Sequence, residues 1–406
     1  MKTLILALAI AVAPLWAADV RGIAPEDGQK PTGPYTPGVM AGDYLYVSSQ
    51  GPKMPDGSIP KTVEEQVDQC VANVNAVVKA AGLTLDHVVY THVYLDDMSL
   101  YDRMNRAYAK HFARNAPARA VVGVHKRGNG MRVTINAVAV REPSMKETVK
   151  VPGWDLKEPF AAGILTHDRL YVSGMLGRDP VSGQIPKGID EQVTMALDNM
   201  GAVLKAAGLH QRHMVFVNPY VGPEVRYGGM NKAYASYFEF GNTPARATIM
   251  VTSLPHQTQI AFTGVAVRDL SKRLAVRPKN MRPSATASPC VFAGDTFYCS
   301  AKSGFIPGPN GGIFASNVQD QLRQTMRNLL DNLEEAGLDF SHVVSTTLYL
   351  DDSSDYDAVN EVYKLYFEGL APSRTVVQQL APVERKPGEN GRWPTLEQIS
   401  LIAVKP

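Results

Sequence analysis

Residues 105–119 read NRAYAKHFARNAPAR, residues 231–246 read NKAYASYFEFGNTPAR and residues 360–374 read NEVYKLYFEGLAPSR. Each phrase runs Asn-x-x-Tyr-x-x-x-Phe into Pro-x-Arg, and the terminal residues Arg119, Arg246 and Arg374 lie 127 and 128 residues apart. One unit is therefore written three times in 406 residues, a length at which single cores have usually stopped growing. An Asn at i with aromatics at i+3 and i+7 shares their helical stripe, so Asn105, Asn231 and Asn360 are expected to face the interior.

Working outward, the best-defined element of the unit is a long helix upstream. Its apolar stripe, Val67, Val71, Val74, Val78 and Ala81, returns as Val193, Leu197, Met200, Leu204 and Ala207, and again as Leu322, Met326, Leu329, Leu333 and Ala336. Gly82, Gly208 and Gly337 stop it at the C′ position. A hairpin precedes the helix, as in Val39–Ala41, a Gly42-Asp43 turn and Tyr44–Ser48; one strand follows it, then the Asn-Tyr-Phe helix, then two more strands. The third copy extends its last hairpin by a polar tip, Glu384–Thr395. Two helices cover only one face of a sheet, yet Ala137-Val138-Ala139-Val140 and Val265-Ala266-Val267 are apolar at consecutive positions and so need cover on both faces. Three copies with their open faces turned together satisfy this, joined through Glu142–Trp154 and Asp269–Pro283. The expected domains are residues 19–146, 147–272 and 273–406.

Residues 1–18 read as a secretory leader: Lys2, an apolar run from Leu4 to Val12, and Ala17-Ala18 at the exit. The run is too short for a permanent span, so an exported, periplasmic or secreted protein without a membrane anchor is expected after cleavage. Three cysteines are an odd count for export. Cys290 and Cys299 face each other across a Gly294-Asp295 hairpin, either bridged or as two buried thiols. A net charge of +2 with no Lys/Arg block, and no basic surface interleaved with aromatics, argues against a nucleic-acid partner. His87, His213 and His342 recur at strand starts, where a solvated or a capping role is expected, and no cluster has metal-ligand spacing.

Together with Gly33-Pro34-Tyr35, Ser48-Ser49-Gln50-Gly51 and Glu65-Gln66, these phrases make each copy resemble the RidA (YjgF) family of enamine/imine deaminases. The resemblance implies an α+β, chorismate-mutase-like ββαβαββ unit, with three units packed as a pseudo-threefold barrel, helices outside. The chain would be a monomer acting as a fused trimer. It also implies hydrolysis of 2-imino or enamine acids to 2-oxo acids and ammonia, with no metal or organic cofactor. Arg119, Arg246 and Arg374 would grip the carboxylate of the small-molecule ligand through a planar fork. Ser48, Ser173, Ser300, Asn105, Asn231, Asn360 and Tyr35 would line the clefts; Phe160 and Ala287 replace Tyr35 in the other copies. The family's Glu on the last strand, a general acid/base, is replaced by Thr134, Ala261 and Gln398. Glu397 is one residue away, on the opposite face unless a bulge intervenes. Val121, Thr248 and Val376 stand where many members carry a Cys. The alternative to a deaminase is a non-catalytic exported binder of small carboxylates.

Overall fold

A computed structural model describes residues 19–26, 28, 30–126, 128–308 and 311–405; the proposed leader, residues 1–18, lies outside the described residues. The first unit comprises β1 (Val20–Ile23), β2 (Gly38–Ala41), β3 (Tyr44–Gln50), α1 (Val63–Ala80), β4 (Val88–Leu95), α2 (Tyr101–Phe112), β5 (Ala118–Gly123) and β6 (Val133–Val140). The second comprises β7 (Glu147–Val149), β8 (Gly163–Leu165), β9 (Arg169–Leu176), α3 (Ile189–Ala206), β10 (Met214–Val221), α4 (Tyr227–Ala235), β11 (Ala245–Arg246), β12 (Ile249–Met250) and β13 (Ile260–Val267). The third comprises β14 (Arg273–Val276), β15 (Cys290–Ala293), β16 (Thr296–Lys302), α5 (Val318–Glu335), β17 (Val343–Leu350), α6 (Tyr356–Tyr363), β18 (Ser373–Gln378) and β19 (Glu397–Val404).

The ββαβαββ order is present three times, with one further strand leading each unit. β1, β7 and β14 pair antiparallel with the first hairpin strand and form an edge, giving the sheet order β1-β2-β3-β6-β4-β5 and its two counterparts. These strands are short and mostly exposed or half-buried, so they carry no apolar alternation that sequence could reveal. The strand bearing each Pro-x-Arg runs parallel to the strand before the second helix, the register that a helical crossover imposes. In the second unit this strand breaks into β11 and β12.

Each long helix buries its apolar stripe against its own sheet. Gly82, Gly208 and Gly337 follow at φ of 79°, 72° and 72°, the left-handed conformation that ends a helix and that a Cβ would disfavour. On β6 the alternation divides between two cores. Ala137 and Ala139 pack under α1, whereas Val138 and Val140 join a cluster with Tyr171 and Val265 of unit two and Val291 and Tyr298 of unit three. The second face of each sheet is thus covered by the other units. Cys290 and Cys299 are bridged across β15 and β16. The recurrent histidines are caps, since the Nδ1 atoms of His87, His213 and His342 accept from the backbone N–H of Thr84, His210 and Asp339.

Candidate functional site

The arginines sit where one unit meets the next, and one stitch repeats at every seam. The backbone N–H of Arg119 donates to Ser173 Oγ (2.7 Å), that of Arg246 to Ser300 Oγ (2.7 Å) and that of Arg374 to Ser48 Oγ (2.8 Å). Each serine hydroxyl in turn donates to a backbone carbonyl of its own unit, of Ala161, Ser288 and Thr36 respectively. The contacts run from unit one to two, two to three and three to one. Ser48, Ser173 and Ser300 therefore hold the arginine strand of the neighbouring unit in place.

The Tyr of each Asn-x-x-Tyr phrase forms the floor beneath the guanidinium. Arg119 Cζ lies 4.7 Å from the centre of the Tyr108 ring, Arg246 Cζ 5.0 Å from Tyr234 and Arg374 Cζ 4.9 Å from Tyr363, within cation–π range. Thr91 and Thr346, opposite the arginines in register, fix Tyr108 and Tyr363 by hydroxyl contacts of 2.7 Å. In unit two that position is Val217, and the Tyr234 hydroxyl is buried without a partner.

The three clefts differ. Arg119 and Arg374 are 2% and 3% exposed, and Nε, Nη1 and Nη2 of Arg119 and Nε and Nη1 of Arg374 make no hydrogen bond. Arg374 Nη2 donates to Tyr356 Oη (3.1 Å), and Tyr35 lies 5.3 Å from its Cζ. The Oδ1 atoms of Asn105 and Asn360 are likewise buried and unpaired. In the middle cleft Arg246 is less buried and donates from Nη1 to Asn231 Oδ1 (2.8 Å). Lys302 of unit three, placed in register like Gln50 and Met175, is half-buried, and desolvation pushes its ammonium below the usual lysine value.

The first cleft opens into a cavity of 360 Å³ that contains Arg119 and Phe160, and also Ala261, one of the three positions of the missing acid. Phe160 stands 5.4 Å from Arg119 Cζ. Two residues before it is Glu158, which the sequence did not mark out. Of the three arginines, Arg119 alone among the described residues pairs with a carboxylate: its Nη2 is 3.9 Å from Glu158 Oε2. Glu158 accepts from the Tyr101 hydroxyl and lies 2.8 Å from His256 Nε2; since an ionised carboxylate only accepts, this nitrogen carries the proton. Burial works to raise the Glu158 carboxyl, but the His256 and Tyr101 hydrogen bonds and the His256 and Arg119 charges outweigh it and hold it below its ordinary value. Burial, tempered by Arg119, pushes the Tyr101 phenol up, so it is a neutral donor. His256 and Gln257 have φ of 57° and 63°, a left-handed pair without glycine, which brings the imidazole edge-on to Tyr101 at 5.5 Å.

Tyr101 has counterparts in Tyr227 and Tyr356, each opening the second helix four residues before the Asn. That recurrence was a readable signal. Thr134, Ala261 and Gln398 stand opposite Tyr94, Tyr220 and Tyr349, three equivalent positions in register. Glu397 pairs with Leu350 one step on and turns under α5 to accept from the Thr325 hydroxyl, away from the clefts. Burial pushes it up to about 8 against the opposing Thr325 and Gly304 contacts. Among the described residues no group of three or more His, Cys, Asp or Glu could hold a metal, and no helix is long and apolar enough to cross a membrane.

The endoribonuclease L-PSP family model matches residues 26–141, 155–268 and 278–383, and the chain belongs to this family, the RidA/YjgF group. The RutC family protein SSO3206 of Saccharolobus solfataricus is 40% identical over 116 residues, 28% of this chain and 92% of that protein. The 2-iminobutanoate/2-iminopropanoate deaminase of Rattus norvegicus is 37% identical over 110 residues, 27% of this chain and 80% of its own length. The crystal structure of the YjgF gene product from E. coli is 34% identical, covers 30% of this chain and 99% of that one, and has a TM-score of 0.29.

Proposed function

We propose that this chain is a one-polypeptide counterpart of a RidA-type trimer, its units set around a pseudo-threefold barrel with the helices outside. Its clefts would take 2-imino or enamine acids and release 2-oxo acids and ammonia. The observation that carries this reading is the pair of buried guanidinium groups, Arg119 and Arg374, with donors left unpaired at seams between units. A buried donor without an acceptor costs roughly 1–3 kcal/mol, more when charged, and a ligand carboxylate would supply the missing acceptors on a planar fork. The relatives that act on 2-iminobutanoate and 2-iminopropanoate support the reaction class. With the carboxylate held, water adds across the C=N bond, its oxygen to carbon and one proton to nitrogen; the carbinolamine O–H proton then passes to nitrogen as the C=O bond forms, and the C–N electron pair leaves with ammonia.

A second reading, a non-catalytic carboxylate binder, is favoured by one observation: Thr134, Ala261 and Gln398 leave each unit without the last-strand acid, and Glu397 does not restore it. The two readings separate when an amino-acid oxidase generates a short-lived 2-imino acid beside a trapping amine. A deaminase speeds oxo-acid release and lowers trapped product. No change, with carboxylate binding lost in Arg374→Ala, leaves the binder. Export to an oxidising compartment is part of the proposal, supported by the Cys290–Cys299 bridge; recovery of the protein in the extracytoplasmic fraction tests it.

A further inference from the structure

The three entry loops align through one hydrogen bond each: the backbone N–H of Ser48, Ser173 and Ser300 donates to the carbonyl of Pro37, Ala162 and Pro289. Counting back from these carbonyls, Gly33, Glu158 and Ala285 occupy one position. In the first two loops that position faces the arginine of the neighbouring unit. A Cβ built on Gly33 would stand 2.4 Å from Arg374 Nη2. In the first cleft the same position carries Glu158, with its carboxylate 3.9 Å from Arg119 Nη2.

We propose that the first cleft is specific for zwitterions, α-amino acids or protonated 2-imino acids, with Arg119 taking the ligand carboxylate and Glu158 its cationic nitrogen. This rests on the reading of the arginines as carboxylate binders and adds a second point of recognition: among the described residues, neither Arg246 nor Arg374 has a carboxylate partner.

Arg119 is buried, lines the 360 Å³ cavity and has Nε, Nη1 and Nη2 without hydrogen-bond partners, so the fork is not consumed by Glu158. Glu158 is held off it by Tyr101 and His256, one on each oxygen. Each carboxylate oxygen has a further lone pair, so Glu158 can accept from a ligand N–H as well. In an α-amino or α-imino acid the nitrogen sits next to the carboxylate, and a ligand forked onto Arg119 carries it to Glu158. A plain anion has no such group and would bring a second carboxylate against the first in a half-enclosed space, where like charges repel far more than in water. The other charged groups lining the cavity, Asp155, Lys157 and Arg178, are of both signs.

L-Alanine and pyruvate test this, being one carbon skeleton with an amino or an oxo group. Trp154 lines the cavity, and changing Trp16 and Trp393 to Phe leaves it the sole tryptophan and a local reporter. L-Alanine should quench Trp154 with a Kd at least tenfold below that of pyruvate. Glu158→Gln should bring the two within threefold, chiefly by tightening pyruvate, while Glu158→Asp keeps the charge and the preference. Equal binding of both ligands to the parent protein, no response to either, or an unchanged ratio in a folded Glu158→Gln protein overturns the proposal. Arg119→Lys should weaken both ligands tenfold or more; if it leaves both intact, the carboxylate reading of the arginines itself falls.

Discussion

Glu397 gives the sharpest quantitative expectation. It stands in the third core where Val133 and Ile260 stand in the others, and Thr325 above it replaces Cys70 and Ala196. Its Oε2 has no hydrogen-bond partner, and its pKa rises from 4.5 to about 8. Below the unfolded value the carboxyl is protonated in both states and nothing is lost. Between the two values the folded protein keeps a proton that the unfolded chain releases, so stability falls as pH rises, and the loss levels off above the folded value. At about 1.4 kcal/mol per pKa unit, unit three should lose on the order of 3–4 kcal/mol between pH 5 and pH 8 through this group. Glu397→Gln keeps shape and polarity but cannot ionise. The assay is urea unfolding of both proteins at pH 5, 6, 7 and 8, with Trp16 and Trp154 changed to Phe in each so that fluorescence reports Trp393 in the third unit. The variant-minus-parent difference cancels other titrating groups and should grow in the variant's favour by that amount. A difference flat with pH, or one that grows in the parent's favour, would refute the burial of a neutral acid.

Elsewhere the expected effects follow from single contacts. Arg374→Lys keeps the charge but loses the fork over Tyr363 and Tyr356, and should weaken carboxylate binding at the third seam tenfold or more, read by calorimetric titration. Ser48→Ala leaves the buried N–H of Arg374 without an acceptor and should cost about 1–3 kcal/mol in chemical denaturation; a neutral result would mean that the seam does not depend on this stitch. Val217→Thr should supply the Tyr234 hydroxyl with the partner that Thr91 and Thr346 give its counterparts, and raise stability by about 1 kcal/mol. Reduction of the Cys290–Cys299 bridge, which closes a short loop, should cost roughly 2–3 kcal/mol in the third unit, seen as a lower unfolding midpoint with reductant.

The helices were legible because period and burial coincide: Val67, Val71, Val74 and Val78 lie on one stripe and are all buried. Double-sided burial of Ala137–Val140 was legible for a similar reason, as no solvent face interrupts the run. The leading strands were not, because Val20–Ile23 is a short edge held by backbone pairing, which side chains do not advertise. The direction of Glu397 follows from the period of two alone. Glu158 is a lone acid in a loop, and only alignment of Gly33-Pro34-Tyr35 with Glu158-Pro159-Phe160 sets it opposite an arginine. Its partner His256 has no counterpart that repeats, and its left-handed backbone is a tertiary imposition on a residue that does not favour it.

The non-equivalence of the clefts has a physical reason in the three units sharing one polypeptide. In a trimer of identical chains one substitution enters three sites together, so a glutamate opposite the arginine would alter every cleft at once. In one polypeptide each seam has its own residues. Gly33, Glu158 and Ala285 can differ, as can Thr91, Val217 and Thr346 beneath the tyrosines, without loss of the shared core that the three sheets build together. The seams can then diverge in turn: one guanidinium held by the Tyr356 hydroxyl above Tyr363, one tied to Asn231, one set beside a carboxylate. On this account divergence should be confined to cleft positions, while Ser48, Ser173 and Ser300 stay alike, because each supports a seam on which the whole assembly closes. Exchanging Glu158 for Gly in unit two should therefore convert the first cleft's ligand preference toward plain carboxylates and lower the unfolding midpoint only modestly, through the lost Tyr101 and His256 contacts. A collapse of the midpoint would show that the glutamate holds the seam together.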